Sequence, residues 1–197
     1  MHSMDQNLTG AKGLRPAELD GAGIVVFSHL RWSFVWQRPQ QFLSRLAAKN
    51  PVLFIEEPYF DLPESAEPFM TVQQAHPNVT VACLHLFESY RGKPEIESIS
   101  ATHLKMALDL VNTDGAFNKP LLWFYNPMDV DWALRAFPAR GVVYDCMDEL
   151  SQFAGAPKEL VDRERRLLSR ADVIFTGGHE LYRRKSVGRS NVYCFGC

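Results

Sequence analysis

The strongest constraint on folding is a set of short, almost wholly apolar runs, rich in β-branched residues, that recur between segments of helical period. Gly23-Ile24-Val25-Val26-Phe27-Ser28 is the first of them. A run that is apolar on both alternating faces suits a strand covered above and below, as in a parallel sheet. A polar and aromatic loop follows, and then Pro39 opens a helix, where its missing N–H needs no partner. Phe42, Leu43, Leu46 and Ala47 form the apolar stripe of that helix, and Asn50-Pro51 stops it. Val52-Leu53-Phe54-Ile55 is the next strand, ended by Glu56-Glu57-Pro58.

The alternation continues to the end of the chain. Residues 59–77, rich in Pro, Glu and Ser, read as an excursion with one short strand, and 79–84 as a further strand. Leu104, Ala107, Leu108 and Val111 line one side of a helix over 98–111. Strands are expected at 121–125, 141–146, 173–176 and 191–195, with helices at 130–137, from Pro157, and at 178–185. In the helix from Pro157, residues Leu160, Val161, Leu167, Leu168 and Ala171 are expected to face inward. The pattern predicts an α/β fold: a Rossmann-like, doubly wound, mostly parallel sheet of about seven strands. Residues 1–22, polar and rich in Gly, are expected to be a flexible tail, and 23–197 a single domain.

Composition narrows the function classes. With 46% hydrophobic and 22% charged residues the chain can bury a core and is not disordered. A net charge of −2 argues against nucleic acid as a partner. The run Asp162-Arg163-Glu164-Arg165-Arg166 mixes both signs and reads as a solvated helix face. No run approaches the roughly 18 apolar residues of a membrane helix, and no secretory apolar core opens the chain. Of the four cysteines, three lie in or beside strand-like runs, which suits reduced thiols in a cytoplasmic protein. Cys194-Phe195-Gly196-Cys197 has CxxC spacing but precedes no helix, and two thiols fall short of a zinc site. His2, His76, His85 and His103 lack metal-ligand spacing, so no metal is expected.

Ligands of open parallel sheets sit beyond the carboxyl ends of the strands. That rule selects four loops. The first, 28–38, carries His29, Arg31, Trp32, Phe34, Trp36 and Arg38 ahead of a helix N-terminus. Arginine can take an oxyanion in a fork, and tryptophan faces stack on sugar rings. Alternatively the aromatics plug the sheet end and the arginines pair with Glu56 or Glu57. The second loop offers Glu56 and Glu57, either for sugar hydroxyls or as those partners. The third, Asp145-Cys146-Met147-Asp148-Glu149, could supply a base for a hydroxyl nucleophile. Its other reading is capping around Ser151 with pairing to Arg31 or Arg38. The fourth is Thr176-Gly177-Gly178-His179, where glycines allow close approach to a phosphate or form a plain turn. Asp129-Val130-Asp131 spells DxD, but it opens a short helix, where aspartate is favoured as a cap. No GxGxxG follows the first strand and no GxxxxGK[ST] occurs, which argues against dinucleotide oxidoreductases and P-loop nucleotidases.

Phe27-Ser28-His29-Leu30-Arg31-Trp32, then Phe34-Val35 and Gln37-Arg38-Pro39-Gln40, resemble the opening of a group of bacterial glycosyltransferases. These are of the family 1/family 4 type, with a GT-B fold, and serve cell-surface polysaccharide assembly. Glu56-Glu57-Pro58, 143–150, Gly155-Ala156-Pro157, Arg170-Ala171-Asp172, 175–178 and Leu181-Tyr182 are similar to the same group, in the same order. The resemblance implies half of a two-domain enzyme. Its N-terminal domain binds a sugar or lipid-linked glycan acceptor, and a C-terminal domain holds a nucleotide-sugar donor as co-substrate, without a metal or other cofactor. It places Asp145 and Asp148 as catalytic candidates. His29, Arg31, Trp32, Arg38, Glu57, Gly177 and Gly178 are then candidates for substrate binding. Members of the group continue into the donor domain, so this chain is expected to need that domain, or self-association, and to be inactive alone. The location implied is cytoplasmic, with peripheral contact at the inner face of the membrane. The competing reading is a non-catalytic binding or assembly module that keeps the fold. A hydrolase using Asp145 and Asp148 is weaker, because no nucleophile or metal set accompanies them.

Overall fold

The computed structural model describes residues 19–196. Most of the expected tail, and Cys197 of the CxxC, lie outside that range. Leu19 and Ala22, at the start of it, accept hydrogen bonds from the Asn50 side-chain amide.

The chain runs β1 (Ile24–Ser28), α1 (Arg38–Leu46), β2 (Val52–Leu62), β3 (Phe69–His76), β4 (Val79–Phe87), α2 (Glu95–Val111), β5 (Leu121–Phe124), α3 (Val130–Ala136), β6 (Gly141–Cys146), α4 (Leu160–Arg170), β7 (Val173–Thr176), α5 (His179–Lys185) and β8 (Val192–Cys194). All eight strands join one sheet in the order β3-β4-β2-β1-β5-β6-β7-β8. Every pairing is parallel except β3 with β4. This is the doubly wound Rossmann-like sheet that the apolar runs predict.

Side chains alternate across the pleat, so each inner strand feeds two cores. Ile24 and Val26 of β1 pack with Leu43 and Ala47 of α1 on one face. Val25 and Phe27 pack on the other with Leu104 of α2, Trp132 of α3 and Leu167 of α4. Because α1 leads from β1 to one side and α3 from β5 to the other, the strand order reverses between β1 and β5. That reversal is where the loops part and leave a crevice.

Three expectations change. β2 does not stop at Glu56-Glu57-Pro58 but runs on to Leu62. β1 ends opposite Glu56, so beyond it β2 is paired only with β4, and the ladder shifts register between Glu56 and Tyr59. Proline is tolerated at such a bulge on a free edge. The short strand in 59–77 is the eight-residue β3, which turns at Pro77-Asn78 and pairs back along β4. Asn78 takes the left-handed conformation there, at φ 59°. On α4, Val161 is 49% exposed rather than inward-facing, and the helix starts at Leu160, three residues past Pro157.

Candidate functional site

The loop after β1 is built before it is functional. Gln40 on α1 reaches back to it, with Nε2 donating to the Trp32 carbonyl at 2.9 Å and Oε1 accepting from Gln37 N at 3.0 Å. The Trp32 N–H donates to Glu56 Oε1 at 2.8 Å, which ties the loop to the end of β2. The Trp32 ring is 8% exposed and stands edge-on to Phe54 at 5.3 Å, inside the α1 core. Beyond that anchor the loop turns outward, leaving Phe34 76% and Trp36 54% exposed.

Arg31 and Arg38 leave the loop in opposite directions. Arg31 Nη1 meets Glu56 Oε2 at 3.1 Å and the Glu57 carbonyl, and its guanidinium lies 3.9 Å over the Tyr59 ring. Arg38 crosses to β6, where Nε donates to Asp145 Oδ2 at 3.2 Å. A second contact, Nη2 to Oδ1 at 2.8 Å, completes the ion pair. The Asp145 side chain is completely buried. Burial pushes its carboxyl above the usual range, and Arg38 holds against that push. Arg38 also donates to the Phe195 carbonyl, so one guanidinium joins α1, β6 and the segment after β8. Asp145 reaches no solvent; what it governs is the position of Arg38.

His29 stands at the crevice between β1 and β5. Burial draws its imidazole below the ordinary histidine range, opposed by the charge of Asp148 and by the Tyr125 backbone. Asp148 is exposed on the loop after β6 and lies close enough for its charge to act on that ring. Two loops separated by more than a hundred residues of sequence therefore meet at one rim.

The Asp148 loop is itself pinned from below. Lys185 at the end of α5 is 7% exposed, and its ammonium donates to Glu149 Oε1 at 2.9 Å and to both oxygens of Glu164 at 2.8 Å. Burial works against that charge, yet the hydrogen bonds to Glu164 and Glu149 outweigh it and raise the Lys185 pKa. Tyr144 OH adds a 2.7 Å hydrogen bond to Glu164. Nothing in the sequence pattern singles out Lys185, which reads there as the end of a surface helix. Gly177 serves the same loop: a Cβ at that position would collide with the Met147 carbonyl. A Cβ at Gly178 would meet nothing within 4 Å, and the residue precedes α5 in extended conformation.

Glu57 and Asp129 flank a cavity beside this rim. Asn126 Nδ2 donates to Glu57 Oε1 at 3.1 Å, and Trp132 Nε1 to Asp129 Oδ1 at 3.0 Å. Burial, with Asp129 nearby, raises the Glu57 carboxyl above its usual value. Burial likewise pushes Asp129 up to about 6, against the Trp132 hydrogen bond and Arg163. The DxD motif thus splits. Asp129 sits at the cap position of α3 but takes the indole N–H instead of capping, while Asp131 forms a two-oxygen pair with Arg166.

The fold has a counterpart among solved structures. Sucrose-phosphate synthase from Thermosynechococcus elongatus superposes with a TM-score of 0.54 at 15% identity, over 89% of this chain and 48% of that one. The likeness is one of fold: a Rossmann-like, mostly parallel sheet that matches half of a GT-B architecture. The α,α-trehalose-phosphate synthase (UDP-forming) from Burkholderia xenovorans gives 0.49 at 13% identity, over 81% of this chain and 41% of its own. The chain spans less than half the length of either. No protein-family profile matches it, and no curated protein sequence does. Among the described residues, no helix is long and apolar enough to cross a membrane.

Proposed function

We propose that this chain is the acceptor-binding half of a nucleotide-sugar-dependent glycosyltransferase that acts in cell-surface polysaccharide or glycolipid assembly. The observation that carries the reading is the meeting of His29 and Asp148 at the strand-order reversal of a GT-B half-fold. A low-pKa imidazole is neutral near pH 7 and so is free to accept the proton of an attacking hydroxyl. Asp148 beside it favours the imidazolium that results. The acceptor oxygen bonds to the sugar's anomeric carbon as the nucleotide diphosphate leaves, taking the electron pair of the broken bond. Arg38 and Asp145 act by position, fixing α1 and with it the loop that carries His29. Arg31, Trp32 and Glu56 lock that loop to β2.

The donor, on this reading, is held by a second domain facing the rim. The exposed Phe34 and Trp36 supply apolar surface for that domain, or for an assembly partner if the chain only binds. Basic groups and a helix N-terminus of the second domain stabilise the donor phosphates, with no metal, and the enzyme works at the cytoplasmic face of the membrane. The test supplies a GT-B donor domain to the chain and follows nucleotide release across a broad panel of nucleotide sugars. Turnover that His29→Ala and Asp148→Asn each reduce at least tenfold supports the assignment. Turnover indifferent to both substitutions, or none with any donor, refutes it.

A further inference from the structure

A cavity of about 750 Å³ opens beside the rim, between the outer part of β2, the turn leading into α2, and the turn leading into α3. Its volume falls within the roughly 300–1,000 Å³ of small-molecule sites. The floor is apolar, made by Ile55, Leu84, Leu104 and Trp132. The wall presents Glu57 and Asp129, each fixed through one oxygen, by Asn126 and by the Trp132 indole. Among the described residues, neither Glu57 Oε2 nor Asp129 Oδ2 receives a hydrogen bond; Glu57 is exposed and Asp129 half-buried.

Of the basic residues that line the cavity, Arg91 pairs with Glu88 and lies over Phe60, and Lys93 stands on the turn into α2. Arg163 donates to Glu97 at 2.8 Å and to the Met128 carbonyl, and Arg31 is held by Glu56 and Tyr59. Glu57 and Asp129 present two oriented, unfilled acceptors over an apolar floor. They match a ring that carries adjacent O–H donors on one edge and C–H groups on its face. We propose that the cavity is a subsite for a sugar ring, with Glu57 and Asp129 each accepting from a hydroxyl and Trp132 with Leu84 under the carbon face. The inference rests on the acceptor reading above and extends it. Asn126 joins the two places, because it follows Tyr125 beside His29 while its amide holds Glu57. A ring in the cavity leaves the His29–Asp148 rim free for the reacting hydroxyl, so the acceptor spans more than one ring.

The test uses the full ¹⁵N-labelled chain and the tryptophan indole signal that Trp132→Phe removes. It is titrated with the methyl α-glycosides of glucose, mannose and galactose, and with cyclohexylamine, whose ammonium shares the donor chemistry. At least one glycoside should shift that signal saturably. Glu57→Gln and Asp129→Asn, both isosteric, should each weaken binding about tenfold or more, as expected for hydrogen bonds to charged groups. A response to cyclohexylamine alone overturns the sugar assignment. Glycoside binding that leaves Trp132 unmoved, survives both substitutions and is lost in Asp148→Asn overturns the subsite but leaves the acceptor reading standing. No saturable glycoside binding overturns the subsite, and the turnover assay then decides the acceptor reading separately.

Discussion

Replacing Asp129 by asparagine should stabilise the protein, and only above a definite pH. The carboxyl titrates near 3.8 when exposed and is pushed up to about 6 by burial in the fold. The folded chain therefore binds this proton more tightly than the unfolded chain does. Stability from the group is fully present below 3.8 and is lost as pH rises through about 6. A shift from 3.8 to about 6 corresponds to roughly 3 kcal/mol of destabilisation once the group is ionised. Asparagine carries no charge to desolvate, and its Oδ1 still accepts the Trp132 indole N–H. Urea unfolding of both proteins should thus give Asp129→Asn an advantage of up to roughly 3 kcal/mol well above pH 6, shrinking to nothing below 3.8. An advantage independent of pH, or a loss of stability at neutral pH, would refute the reasoning. A carboxylate kept ionised against its own fold fits a group retained for a ligand.

Arg38→Met leaves Asp145 buried without its cation and should cost about 3–5 kcal/mol in urea unfolding. Arg38→Met/Asp145→Leu, which removes both charges, should recover most of that, and failure to recover would mean the pair does more than neutralise itself. Gly177→Ala drives a methyl into the Met147 carbonyl and should lower stability by about 1–3 kcal/mol. Gly178→Ala, in open extended backbone, should stay within about 0.5 kcal/mol, so equal thermal shifts would count against the packing argument. Lys185→Met strands Glu149 and Glu164 and should cost about 3–5 kcal/mol at neutral pH, read by the same denaturant curves.

The sheet was legible because its interior strands are apolar on both faces, a pattern that only a covered parallel strand requires. Ile24-Val25-Val26-Phe27 and Leu121-Leu122-Trp123-Phe124 could be placed on that ground alone. β3 was not, because its residues alternate between exposed and half-buried on an edge, where sequence carries no continuous apolar signal. Pro58 looked like a strand end because the bulge and free edge that admit it are properties of β1's shorter length. At the site, sequence singled out the loops that meet but not how their charges divide. Whether Arg38 reaches Asp145 or a ligand depends on a contact across 107 positions. The Lys185 network lay hidden for a related reason: Glu149, Glu164 and Lys185 come from three separate elements, and no local spacing ties them together.

The loops after β1 and β6 share one rim, and the titration of His29 reports that directly. Imidazole NMR should place its pKa below 6.5, and Asp148→Asn should lower it further by removing the opposing charge. A His29 pKa at or above 6.5 that does not move in Asp148→Asn would separate the two loops and remove the proposed site.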